Sequence, residues 1–183
     1  MKYLIYVVVA IVALVAAFYA FNSFIYNEKQ GDGTFVDYRS GVYQIGDETV
    51  TLGVGGATYF GNEVMGDIDG DGDEDVAFLI THDGGGSGTF YYLAGAINDG
   101  AEYHGTNAML IGDRIGPQTT EFRQLDAPYG ARVIVNYADR LPTEPMTAQP
   151  SVGKSLYAKY SPATNDFGEV VQDFEGESAG GVR

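Results

Sequence analysis

The sequence predicts a mainly β fold: a single antiparallel β domain, with room for one short helix, preceded by an N-terminal transmembrane helix. Three observations predict it. Tyr3 to Phe21 is an unbroken apolar and aromatic run. Beyond it, short apolar segments alternate with clusters of Gly, Asn and Asp, the punctuation of strands and turns. No stretch there combines helical period with helical length.

The first element is the anchor, residues 1–26. As a helix, Tyr3 to Phe21 spans about 28 Å, close to the hydrocarbon thickness of a bilayer. It is longer than the apolar core of a cleaved leader and ends among Phe and Tyr, so that a cut after Ala17 would be poor. An uncleaved signal anchor is expected. Lys2 precedes the run, and Glu28, Lys29 and Asp32 follow it. The positive-inside rule then puts the N-terminus in the cytoplasm and the remaining chain outside the cell membrane. Tyr3, Tyr6, Tyr19 and Tyr26 lie near the two ends, where amphipathic rings favour the interface.

Residues 27–34 read as a polar linker and 35–175 as the extracytoplasmic β domain. Val42–Ile45 and Thr49–Leu52 flank Gly46-Asp47-Glu48 as a hairpin. Val76–Ile80 is continuously apolar, as a buried strand is. Thr89–Ile97 is a further strand, ended by Asn98-Asp99-Gly100. Asn107–Ile111 and Arg132–Tyr137 add two more. Ser155–Tyr160 is expected to pair with Glu169–Val171 across a turn near Asn165-Asp166. Leu141–Pro150, with three prolines, reads as a surface loop, and 176–183 as a flexible tail.

Composition limits function. With 25 acidic and 10 basic residues the net charge is −15, so nucleic acid is not an expected partner. There is no Cys, hence no disulfide and no lipidated cysteine. Two His without Cys argue against zinc.

The densest chemistry is Asp67-Ile-Asp-Gly-Asp-Gly-Asp-Glu-Asp75. Calcium takes six to eight oxygens, and a tight loop supplies them from alternate positions. Counting from Asp67 puts Asp67, Asp69 and Asp71 at the first, third and fifth positions and Gly72 at the sixth. A start at Asp69 would put Glu74 where the glycine belongs. The twelfth position is Phe78, which rejects the bidentate Glu closure of an EF-hand and leaves Asp75 to close the site. The alternative is a solvated acidic turn without metal, opposed by the mutual repulsion of so many carboxylates.

A nine-residue Asp-x-Asp-x-Asp-Gly-x-x-Asp loop leading into a strand resembles the calcium loops of FG-GAP/VCBS-type repeats, as in integrin α-subunit propellers. The resemblance implies side-chain ligation of calcium by Asp67, Asp69, Asp71 and Asp75, with Asp73 contributing its main chain. It covers the loop and its flank, and one copy cannot close a propeller ring. More loosely, Gly66–Ala77, Gly85–Ala94, Leu110–Arg114 and Asn136–Arg140 are together similar to a recurrent bacterial extracytoplasmic domain without an assigned activity.

Other segments carry less. Asp83-Gly-Gly-Gly-Ser-Gly-Thr89 lacks the Lys of a P-loop and the spacing of a nucleophile elbow, and reads as a β–β connection. His82, Asp83 and Ser87 are close in sequence, which is not triad geometry. Asp113-Arg114 and Asp139-Arg140 follow strands and suit loop-fixing ion pairs, with a polar binding face including Glu121 and Arg123 as the alternative. Of Tyr91 and Tyr92, strand alternation puts one in the core and one outside. The function expected is a calcium-binding β domain with a binding, adhesive or structural role at the cell envelope, toward a protein or glycan. The alternative is an envelope carbohydrate hydrolase using carboxylates such as Asp113, Glu121 or Asp139.

Overall fold

The computed structural model describes residue 15 and residues 34–35, 37–100, 102–127 and 129–171. The chain divides into two units, Met1–Gly33 and Thr34–Arg183. The expected anchor, apart from Val15, the linker up to Gly33 and the expected tail lie outside the described residues. Among the described residues no helix is long and apolar enough to cross a membrane.

The second unit is antiparallel β throughout its ladders. Its strands are β1 (Thr34–Phe35), β2 (Val42–Ile45), β3 (Glu48–Thr51), β4 (Ala57–Gly66), β5 (Asp75–His82), β6 (Phe90–Asn98), β7 (Tyr103–Gly105), β8 (Met109–Asp113), β9 (Gly116–Gln124), β10 (Ala131–Asp139), β11 (Val152–Ser161) and β12 (Asp166–Glu169). In place of the short helix allowed for by the sequence, the β domain has a single 3-10 turn among the described residues, Tyr38–Ser40, capped by Asp37, whose carboxylate accepts the Arg39 N–H at 3.0 Å.

Three sheets result. The largest runs β1-β7-β6-β5-β4, with β8 also on β6. The second runs β12-β11-β10-β9, and β2-β3 is a hairpin. The central strand β5 is covered on both sides, which is why its sequence is continuously apolar rather than alternating. Ala77 and Leu79 join Leu93, Val133, Val135, Leu156 and Phe167 in one core cluster. Val76, Phe78 and Ile80 join Tyr43, Val50, Leu52, Ala94 and Ala96 in the other. Each such Val, Leu, Ile or Phe contributes about 1.5–3 kcal/mol by leaving water. Phe78 lies among the rings of Tyr38, Tyr43 and Tyr59, with centroids 5.6, 5.5 and 5.3 Å away.

The same two-sided burial corrects the expectation for Tyr91 and Tyr92. Neither ring is left outside: Tyr91 packs on the first cluster and Tyr92 on the second. Two strands escape the apolar pattern. In β4 the register shifts at Gly61 and again before Val64, with Gly61 at φ +109 and Asn62 at φ +52, so the alternation breaks. β9 is rich in Thr and Gln because its outer face and edge meet water. The expected strand at Asn107–Ile111 begins two residues later. Asn107 is instead a junction: it forms parallel bridges to Gln44 and Asp166, and its side chain donates to the Thr164 carbonyl at 3.1 Å.

Candidate metal centre

The acidic segment is the loop of the β4–β5 hairpin, closed by the pairing of Gly66 with Asp75. Its entry depends on Gly66: a Cβ there would stand 2.4 Å from the Phe122 ring of β9. Ile68 points inward and joins the first core cluster, fastening the loop from below. Gly70 and Gly72 have φ +92 and +100, a region that L side chains rarely enter. Between them the aspartates make local turns. Asp67 Oδ1 accepts Gly70 N–H at 2.8 Å, Asp69 Oδ1 accepts Asp71 N–H at 3.1 Å, and Asp71 Oδ1 accepts Asp73 N–H at 2.8 Å.

This backbone brings Asp67, Asp69 and Asp71 together, each offering one carboxylate oxygen within 4.8 Å of the others. Two oxygens each about 2.4 Å from one ion are at most about 4.8 Å apart, so these separations are compatible with one shared metal ion. Among the described residues, the hydrogen bonds these carboxylates accept all come from backbone N–H groups, and none comes from a lysine or arginine. Burial holds the Asp69 carboxyl above its ordinary value, and the charges of Asp71 and Asp67 push the same way.

No family model, curated protein or solved structure matches this chain.

Asp73 and Asp75 stand outside the convergent group. The Asp73 carboxylate borders the next loop, its Oδ2 3.5 Å from where a Cβ of Gly100 would be. Asp75 has no exposed surface. Its Oδ2 accepts the N–H groups of Ile68 at 2.7 Å and Asp69 at 3.3 Å, and its Oδ1 that of Asn98 at 2.8 Å. Three of about four acceptor positions on a carboxylate are thus filled by backbone. Burial raises the Asp75 carboxyl, opposed by the N–H groups of Asn98 and Ile68. Asn98 also donates from its side chain to the Glu74 carbonyl at 3.3 Å. In the sequence Asn98 marks only the end of a strand; its contact with the loop comes from the pairing of β5 with β6.

The other candidates resolve into structural roles. His82 is buried, with Nε2 4.0 Å from Glu48 Oε2. Among the described residues it has no hydrogen bond to Asp83 or Ser87. His104 pairs with Asp99 at 2.8 Å on the β6–β7 turn. Asp113 Oδ1 accepts Thr89 N–H at 3.1 Å, and the same carboxylate takes two hydrogen bonds from Arg114. Asp139 takes Lys154 at 2.7 Å, and Glu121 takes Arg123 at 3.3 Å. Arg114 holds the Asp113 carboxyl below its ordinary value, and Lys154 does so for Asp139. Arg140 ties the Leu141–Pro150 loop to the β8–β9 turn, donating to Ala148 O at 2.6 Å and Arg114 O at 2.9 Å.

Proposed function

We propose that this chain is a membrane-anchored, extracytoplasmic calcium-binding β domain with a binding, adhesive or structural role at the cell envelope. The observation that carries it is the convergence of Asp67, Asp69 and Asp71 on a loop with no basic side chain to neutralise them. Their carboxylates hold the ion, with the Asp73 main chain and the remaining acceptor position of Asp75 completing the set. The ion removes the repulsion among these carboxylates and fixes the hairpin that leads into β5. Outside a cell, calcium is plentiful enough to fill a weak site. The apolar run Tyr3 to Phe21 supports the anchor.

The hydrolase alternative has less support. A general acid needs a carboxyl kept protonated near neutral pH. Asp113 and Asp139 are held the other way, each by a cation.

Calorimetric titration of the full-length chain with calcium tests the reading. One saturable site is expected, weakened by Asp71→Asn. No calcium-dependent heat, together with an unchanged melting temperature in calcium and in chelator, overturns it.

A further inference from the structure

We propose that the outer face of the β9–β12 sheet binds an anionic glycan, through Arg132, Lys159 and Tyr157. The inference rests on reading the domain as a binding module, and not on the ion in the acidic loop.

Alternation sets the face. Along β10, Val133, Val135 and Tyr137 enter the core, which turns Arg132, Ile134 and Asn136 outward. Along β11, Leu156, Ala158 and Tyr160 point in, leaving Tyr157 and Lys159 out. Val133 pairs with Ala158, so Arg132 and Lys159 are the next neighbours across the strands, about 4.8 Å between strand axes. On its other side Arg132 stands directly opposite Arg123. Like charges facing across strands cost stability, and a chain with 25 acidic residues has ample means to avoid it.

The acid excess makes the pairing pattern informative. Arg39, Arg114, Arg123 and Lys154 each have a carboxylate partner. Among the described residues, Arg132, Arg140 and Lys159 have none, and Arg140 follows the far end of β10, where its side chain is tied to the carbonyls of Ala148 and Arg114. Arg132 donates only to backbone carbonyls, those of Tyr129 and Ala131. Two adjacent cations without a carboxylate partner, on a chain of charge −15, form a place for an outside anion.

The surroundings fit a sugar chain. Asn136 is held by Thr119 at 2.9 Å, Glu121 at 3.0 Å and Ser155 at 2.6 Å, a polar network ordered on the same face four residues along the strands from the cations. Ile134, between the cations and this network, is 2% exposed and belongs to neither core cluster. Tyr157 is directly opposite Ile134, and its ring offers the amphipathic surface on which a sugar ring rests. The guanidinium of Arg132 takes a carboxylate or phosphate by its fork, and Lys159 takes a second as a point charge. Nucleic acid, with a charge about every 1.7 Å, is repelled far more by the rest of this surface than a glycan carrying one carboxylate per two sugars.

Full-length chain passed over immobilised hyaluronate in calcium-free buffer tests the proposal, with dextran and polyglutamate as comparison surfaces. Salt-sensitive retention on hyaluronate alone is expected. Lys159→Glu and Arg132→Gln should each weaken it by about twofold to fivefold, the scale of an exposed ion pair lost. Tyr157→Ala should also weaken it, and Lys154→Gln, whose lysine already serves Asp139, should not. Lys159 is exposed, so Lys159→Glu is expected to melt as the parent does; Lys159→Gln gives the same reading with less perturbation. No retention on hyaluronate, retention indifferent to both Lys159 variants, or equal retention on polyglutamate overturns the proposal. The calcium reading fails separately, through the titration above.

Discussion

The buried carboxylate of Asp75 accepts the backbone N–H of Asn98 at 2.8 Å. Through it the first residue of β5 is joined to the last residue of β6, while its other oxygen gathers Ile68 and Asp69 from the loop. Asp75 thus acts as a post around which the acidic loop is wound, with or without an ion. Asp71, exposed at the loop tip, has no such duty.

Asp75 and Asp71 are therefore expected to behave differently. Asp75→Ala leaves three backbone donors without their acceptor and should cost about 2–4 kcal/mol even in chelator. Urea denaturation in chelator measures it; a calcium-free stability equal to that of the parent would refute the post.

Asp71→Asn should leave calcium-free stability within about 0.5 kcal/mol of the parent, as for other exposed positions. Its calcium affinity should fall by about tenfold or more, since ligand charge sets affinity over decades. Calorimetry and thermal melting read the two quantities independently.

Gly105→Ala tests how the β2–β3 hairpin is seated. A Cβ at Gly105 would lie 2.0 Å from the Val42 carbonyl oxygen, a backbone atom that cannot turn aside. A loss of about 3 kcal/mol or more is expected, from overpacking combined with lifting the hairpin off its core. Faster hydrogen exchange confined to Val42–Thr51 would mark local detachment; parental stability would contradict the close seat.

Glu63 anchors the 3-10 turn to β4. Its carboxylate accepts Tyr59 OH at 2.5 Å, Tyr38 OH at 2.9 Å and Arg39 at 3.0 Å. The Tyr59 hydrogen bond, followed by that of Tyr38 and the charge of Arg39, lowers its carboxyl below 4.5. A depressed carboxyl contributes stability above its unfolded value and loses it as pH falls through the folded one. Burial and the Glu63 hydrogen bond raise Tyr38 from 10.0 to about 12, so its contribution is present below 10.0 and lost as pH rises toward about 12. Urea midpoints across pH should fall at both limbs. Glu63→Gln should flatten the acid limb and cost about 1 kcal/mol near neutral pH; an unchanged acid limb would contradict this role.

Much of the strand content was legible because it is written in local chemistry. Val76–Ile80 announces a buried strand by composition, and Asn98-Asp99-Gly100 announces its turn. β4 was hidden because Gly61 and Asn62 break the alternation, and β9 because one face of an edge strand meets water. The acidic loop was legible for the same local reason: glycines at fixed offsets let neighbouring aspartates converge within one turn of chain. Asn98 and Phe122 were not, because their contacts with the loop are made across strands far apart in sequence.

By itself the sequence determined the β class and which aspartates have glycines beside them. These follow from short-range sterics and charge, which act within a few residues. Only the tertiary structure decided that three of the Asp75 carboxylate's acceptor positions go to Ile68, Asp69 and Asn98, that Tyr91 and Tyr92 serve opposite cores, and that Arg132 and Lys159 fall on one face of neighbouring strands. Those depend on which strands pair and which faces are covered, and long-range packing sets both.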